Sequence, residues 1–150
     1  MILYGHTFTV GWYNMKLDEK YIAGFFDGEG CVHIAKRADD YYGLQTDVAQ
    51  KDVTVLLWLR KKYGGYIIPK DNGNYRWTLS SKRAYKFLKS IYKYTIIKKK
   101  QIYYAMKFQD TILNQSNHQS KRLTSKDIKI RVKYYNLLRS LKKEYRRLTK

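Results

Sequence analysis

Apolar positions change their period several times along the chain, and each change marks an element. Leu17-Asp18-Glu19 opens a first helix, with Asp18 placed as its cap and Glu19 in the positive first turn. The apolar run Tyr21–Phe26 carries that helix to Gly28, a stop signal. Val32 and Ile34 then alternate with His33 and Ala35. A turn-like Asp39-Asp40-Tyr41-Tyr42-Gly43 follows, after which Leu44, Thr46 and Val48 alternate with Gln45, Asp47 and Ala49. Period-two patterning on both sides of a turn predicts a hairpin with one buried face. Asp52 is positioned to cap a second helix, Val53–Tyr63, which Gly64-Gly65 ends. A second hairpin pairs Tyr66–Lys70 with Tyr75–Ser80 around Asp71-Asn72-Gly73-Asn74. Pro69 has no amide to donate, which puts its strand at a sheet edge or puts the residue at a strand end. Ser81 caps a third helix reaching about Tyr94, and Lys98–Leu113 forms a fourth, apolar along Ile102, Ala105, Met106 and Ile112. The polar stretch Asn114–Leu123 reads as a mobile loop, and Thr124-Ser125-Lys126-Asp127 as a capping box for a last helix. The predicted order is α-β-β-α-β-β-α-α-α, an α+β fold. One domain spans residues 1–150, with 1–16 as an N-terminal extension, 17–113 as core and 114–150 as loop and basic helix; no sequence repeat divides it.

Charge narrows the function. Lys plus Arg number 31 against 12 Asp plus Glu, a formal net charge of +19. A domain so unbalanced repels itself unless something anionic binds it. Apolar content of 44% is too high for a disordered basic tail. A single cysteine, Cys31, allows no intrachain disulfide and fits a reducing compartment. No apolar run is long enough to span a membrane, and Met1–Met15 lacks the pattern of a secretory signal. An intracellular polyanion-binding domain is the expectation. The cations are one-signed: Val53–Gln109 holds 14 Lys or Arg and the single acid Asp71, and Lys121–Lys150 holds 12 with only Asp127 and Glu144. Nucleic acid is the favoured partner, because neutralising phosphates releases counterions and takes this many cations. A membrane surface would need a clean apolar helix face, whereas the 16 tyrosines are scattered.

The segment Ile22-Ala23-Gly24-Phe25-Phe26-Asp27-Gly28-Glu29-Gly30 is unusual. Gly24 sits mid-helix, at a cost of about 1 kcal/mol relative to Ala, and with Ala23 and Gly28 forms a stripe of small residues that lets another backbone approach. Asp27 and Glu29 fall at the helix C-terminus, whose partial negative charge disfavours carboxylates. A divalent cation would offset this, and hard carboxylate oxygen suits Mg²⁺. An ordinary helix followed by a solvated Gly-Glu-Gly turn explains the same residues without a metal.

This segment resembles the signature helix of the LAGLIDADG homing endonucleases, with Gly28 where the family name has alanine. The order α-β-β-α-β-β-α over about Leu17–Leu113 matches the family domain. The resemblance implies site-specific double-strand cleavage of DNA by metal-dependent phosphodiester hydrolysis, leaving short 3′ overhangs. Glu29 falls on the metal-binding acid, one methylene longer than the more frequent aspartate, and Gly28 falls where a backbone carbonyl helps hold the metal. Gln50 matches the polar residue that orients active-site water. Lys98 matches the basic residue supporting the scissile phosphate, with Lys100 as the alternative. The second basic residue expected just after Gln50-Lys51 is missing, since Asp52, Val53 and Thr54 stand there. One motif copy implies a C₂ homodimer on a long pseudo-palindromic site, its motif helices packing through Ala23 and Gly24 and bringing Glu29 near its symmetry mate. Two or three Mg²⁺ ions per dimer are implied, with Mn²⁺ as a substitute. Genes of this family lie in mobile introns or inteins, which implies an organelle (mitochondrion or chloroplast) or archaeal or phage cytoplasm. Some proteins of this fold instead assist intron RNA splicing or bind nucleic acid without cutting.

Strand alternation selects the readers independently. With Val32, Ile34, Thr46, Val48, Ile67, Trp77 and Leu79 on the core side, the other face carries His33, Ala35, Arg37, Gln45, Asp47, Tyr66, Ile68, Lys70, Arg76 and Thr78. Arg37, Lys70 and Arg76 suit guanine, Gln45 adenine, and Asp47 the cytosine amine. His6, His33 and His118 are too dispersed to suggest a zinc site. Cys31 reads as a small buried residue rather than a nucleophile, and Met15 as an alternative start.

Overall fold

A computed structural model describes residues 18–38, 41–115 and 123–148. The expectations for residues 1–16, including Met15 and His6, for Asp39-Asp40, and for most of the Asn114–Leu123 loop with His118 lie outside the described residues.

Nine elements follow the predicted order: α1 (Glu19–Glu29), β1 (Gly30–Lys36), β2 (Tyr42–Gln50), α2 (Thr54–Tyr63), β3 (Tyr66–Pro69), β4 (Tyr75–Ser80), α3 (Ser81–Ile91), α4 (Lys99–Gln115) and α5 (Ser125–Leu148). The strands form one antiparallel sheet in the order β1-β2-β4-β3. Pro69 closes β3, an edge strand, so its missing amide interrupts no interior ladder.

Caps explain most boundaries. The Asp18 carboxylate accepts from the Lys20 and Tyr21 amides and starts α1. The Asp52 carboxylate accepts from the Thr54 amide at 2.8 Å and starts α2. Thr124 and Asp127 close the predicted box on α5: the Thr124 amide donates to Asp127 at 3.0 Å and the Asp127 amide to the Thr124 hydroxyl at 3.2 Å. Several boundaries differ from expectation: α2 begins at Thr54, β3 ends at Pro69 and α4 runs on to Gln115, and the ends of α1 and α3 shift as well. The helix α1 does not stop at Gly28; it runs on through Glu29 and passes directly into β1 at Gly30. A Cβ at Gly30 would lie 2.3 Å from the Phe26 ring, which is fully buried and has nowhere to move. Ser81 is the first residue of α3 rather than its cap, and its left-handed φ of 51° turns strand into helix without a loop. The same helix ends at Ile91, three residues before Tyr94.

The helices cover one face of the sheet. Val32, Ile34, Leu44, Thr46, Val48, Trp77 and Leu79 are all buried there, as the alternation predicts, while Ile67 on the edge strand is only partly covered. Phe87 of α3 stacks edge-to-face with Phe26 and Trp77, at 5.3 and 5.1 Å between ring centres, and the Trp77 indole donates to the Gly64 carbonyl at 2.9 Å. Burying four aromatic rings against one another, Tyr63 included, anchors α2 and α3 to β4 through apolar area and ring geometry together. The opposite face of the sheet is left to other work. No helix among the described residues is long and apolar enough to cross a membrane.

Candidate nucleic-acid interface and active site

Asp27 and Glu29, two residues apart, meet different fates. Asp27 is buried, and its carboxylate accepts three backbone amides: Ile96 at 2.7 Å, Ile97 at 3.2 Å and Lys98 at 3.0 Å. For Asp27, then, backbone amides supply the compensation that a divalent cation would otherwise provide. Asp27 is disfavoured by the α1 C-terminus but favoured by the converging amides of residues 96–98, the turn that leads into α4, whose N-terminal dipole also attracts an anion. Lys98, held by its own amide, returns its ammonium to the Asp27 backbone carbonyl. Burial pulls the Lys98 pKa below the usual lysine value, while the negative charges of Asp27, Cys31 and Glu29 oppose this and the Lys142 cation adds to it.

Glu29 is exposed at the tip of α1 and makes no hydrogen bond or ion pair with another described residue. Gly28 beside it is exposed as well. Gln50 ends β2 at the same end of the β1–β2 hairpin, where Gly30 pairs with Val48. No hydrogen bond joins Gln50 to Glu29 or Lys98 among the described residues. Lys100 is exposed on α4. The outward side of α1 carries Tyr21, Gly24, Gly28 and the half-covered Phe25, and a Cβ built on Gly24 or Gly28 meets nothing within 4 Å. Ala23 points the other way. At 0% exposure it packs in the chain's own core beside Ile22 and Phe26, which leaves Gly24 of that pair on the outward face.

On the sheet face away from the core, pairing aligns a polar row across all four strands: Cys31 opposite Asp47, Asp47 opposite Thr78, Thr78 opposite Tyr66. Asp47 is its hub. One carboxylate oxygen accepts from the Thr78 hydroxyl at 2.9 Å and the Gln45 amide at 3.3 Å, and the other lies 3.4 Å from His33 Nδ1. Asp47 is thereby buried to 8% exposure, so it orients its neighbours rather than standing free as an acceptor for cytosine. Tyr66 is 70% exposed, with Arg76 and Arg37 also in solvent and Arg37 lying 5.9 Å over the Tyr41 ring. Lys70 is half-buried and begins the turn just beyond β3, its amide bonded to the Asn74 carbonyl at 2.8 Å.

Two residues here escaped the sequence reading. Lys142, on α5, reaches the β1 edge of the sheet and donates to the Cys31 thiol at 2.9 Å. Its only sequence signal is the one-signed lysine excess of the last helix. Cys31 is half-buried rather than core, with its sulfur 3.8 Å from His33 Nδ1. Burial pushes the Cys31 thiol up, but hydrogen bonds from His33 and Lys142, with their charges, outweigh it and lower its pKa from 9.0 to about 7.

Comparison with known proteins places this arrangement. The sequence profile described as LAGLIDADG endonuclease matches residues 22–112. No curated protein sequence matches the chain significantly. Among solved structures, the archaeal intron-encoded homing endonuclease I-Vdi141I complexed with DNA superposes with a TM-score of 0.70 at 20% identity, over 82% of each chain. The homing endonuclease I-TnaI gives 0.63 at 17% identity, over 87% of this chain and 99% of its own. I-SmaMI, bound to an uncleaved DNA target with calcium ions, gives 0.66 at 21% identity, over 80% of this chain but 44% of its own. The profile match takes in the motif helix, both hairpins and most of α4, and with the αββαββα order in place the chain belongs to the LAGLIDADG endonuclease family.

Proposed function

We propose that this protein is a site-specific double-strand DNA endonuclease that acts as a homodimer, with Glu29 as its metal-binding acid. The observation carrying the proposal is the division of labour at the end of α1: Asp27 is consumed in holding the turn 96–98 that leads into α4, while Glu29 is exposed beside an uncovered glycine face. That face suits a second α1 packed against it, which would pair Glu29 with its mate. Coverage is consistent with this, since the chain matches nearly all of I-TnaI and less than half of I-SmaMI.

One hard carboxylate per chain fits Mg²⁺, which takes one or two protein carboxylates beside phosphate and water; Glu29 and the Gly28 carbonyl are the donors this chain offers. Bound there, Mg²⁺ supplies Lewis acidity and activation of a water. The protein's own residues do the rest. Lys98, fixed by its amide and ammonium bonds to Asp27, presents positive charge toward a developing phosphate oxyanion. Gln50 is placed at the same hairpin end to orient water. His33, Gln45 and Thr78, tied to Asp47, and Arg37, Tyr66, Lys70 and Arg76 read base edges in the major groove.

The test is incubation of the protein with a randomised duplex DNA library, with Mg²⁺ and with EDTA, followed by sequencing of cut and bound fractions. A near-palindromic site cut only with Mg²⁺ is expected, with Glu29→Gln binding the site and not cutting it. Cutting by Glu29→Gln would overturn the metal assignment. A second reading, a non-cleaving binder that also takes intron RNA, has one observation in its favour. The outward face of α5 carries exposed Lys126, Lys129, Lys133, Lys143 and Arg147, all away from the sheet. Selective binding without cleavage in the same library, or preference for structured RNA, would decide for it.

A further inference from the structure

We propose that Cys31, His33 and Asp47 form a second metal site, selective for Zn²⁺ over Mg²⁺, distinct from the one at Glu29. The donor atoms come from two paired strands and lie within 4.8 Å of one another. With Zn–S near 2.3 Å and Zn–N and Zn–O near 2.0–2.1 Å, the edges of a tetrahedral site are roughly 3.3–3.6 Å. The structure holds Cys31 Sγ 3.8 Å from His33 Nδ1, and that nitrogen 3.4 Å from Asp47 Oδ2. Those two edges need shifts of a few tenths of an ångström at most, and the third, from Cys31 Sγ to Asp47, closes from within 4.8 Å as the ligands draw in around the ion.

The surroundings are arranged as a metal site requires. The Thr78 and Gln45 bonds both go to Asp47 Oδ1, leaving Oδ2 aimed at the imidazole. Partners outside the ligand set that fix ligand orientation are a regular feature of zinc centres. Lys142 donates to the sulfur and would remain as such a partner, moderating the thiolate's charge. A proton on His33 Nδ1 serves one of its two neighbours at a time, whereas a cation serves all three. One thiolate, one imidazole and one carboxylate make a borderline-soft donor set that suits zinc and disfavours magnesium. Three protein ligands leave a fourth position, and the His33 side chain at 32% exposure lets water or an anion reach it. Sequence spacing hides the site because Asp47 arrives by strand pairing, opposite Cys31.

The experiment is a Co²⁺ titration of the full chain followed by absorption spectroscopy. One equivalent per chain should give a sulfur-to-cobalt charge-transfer band and strong tetrahedral visible bands, displaced by Zn²⁺ and insensitive to excess Mg²⁺. Glu29→Gln should keep the spectrum, so failure of the nuclease reading and failure of this one remain distinguishable. Cys31→Ser should lose the charge-transfer band, and His33→Ala should weaken binding at least about tenfold, with circular dichroism checking that each variant folds. In the unmutated protein, Zn²⁺ should protect Cys31 from alkylation by iodoacetamide. Absence of the band, its persistence in Cys31→Ser, or alkylation unaffected by Zn²⁺ would overturn the proposal.

Discussion

At the scale of single residues, the position of a carboxylate counts for more than its presence in a motif. Asp27 and Glu29 share a helix end and a charge, yet one is spent on three amides and the other is free. Asp27→Asn removes the charge from those bonds and leaves at least one amide poorly served. Hydrogen bonds to charged groups are worth about 1.5–3 kcal/mol, so the variant should lose about 2 kcal/mol in urea unfolding. It should also loosen Lys98, whose backbone amide and ammonium both depend on Asp27. Cleavage by Asp27→Asn should therefore fall even where the protein is fully folded, a result that unfolding alone would not give.

At the scale of elements, local chemistry sets the boundaries. Thr124→Ala opens the box at the start of α5 and should cost about 1 kcal/mol, read as a drop in helix content on warming. Hydrogen bonds from the Thr124 hydroxyl and amide hold the Asp127 carboxyl below its ordinary 3.8. A carboxyl depressed in the folded state stabilises fully above its unfolded pKa, and the effect is lost as pH falls through the lower folded value. Acid titration of the wild type should thus loosen α5 below about pH 4, and Thr124→Ala should flatten that step. The same local chemistry explains what the sequence disclosed. Asp18, Asp52, the Asn72-Gly73 turn and the Thr124 box are all read within four residues of themselves, and strand alternation placed the core face correctly through Val32, Val48 and Trp77. What stayed hidden acts over long separations. Asp27 meets residues 96–98 and Lys142 meets Cys31, contacts that no periodicity encodes. Ala23 shows a subtler limit: small size suits both a tight core and a tight interface, and only packing tells them apart.

At the scale of the whole molecule, a chain carrying +19 and an uncovered glycine face on α1 is built for company. Gly24→Leu adds a side chain where nothing of the chain's own stands in the way, so the monomer should fold normally. A second α1 would be kept at a distance, and sedimentation should show a monomer that has lost double-strand cutting. The polar row across the sheet has a different consequence, for anyone seeking to retarget the protein. Three of the positions proposed to read DNA, His33, Gln45 and Thr78, answer to one carboxylate. Changes there should show epistasis: double-mutant cycles on target affinity between Gln45 and Thr78 should give coupling of about 0.5–3 kcal/mol. Tyr66 and Arg76 lie outside that carboxylate's bonds and should combine additively with distant changes. Libraries that vary the first three together and the other two separately would follow the grain of the sheet.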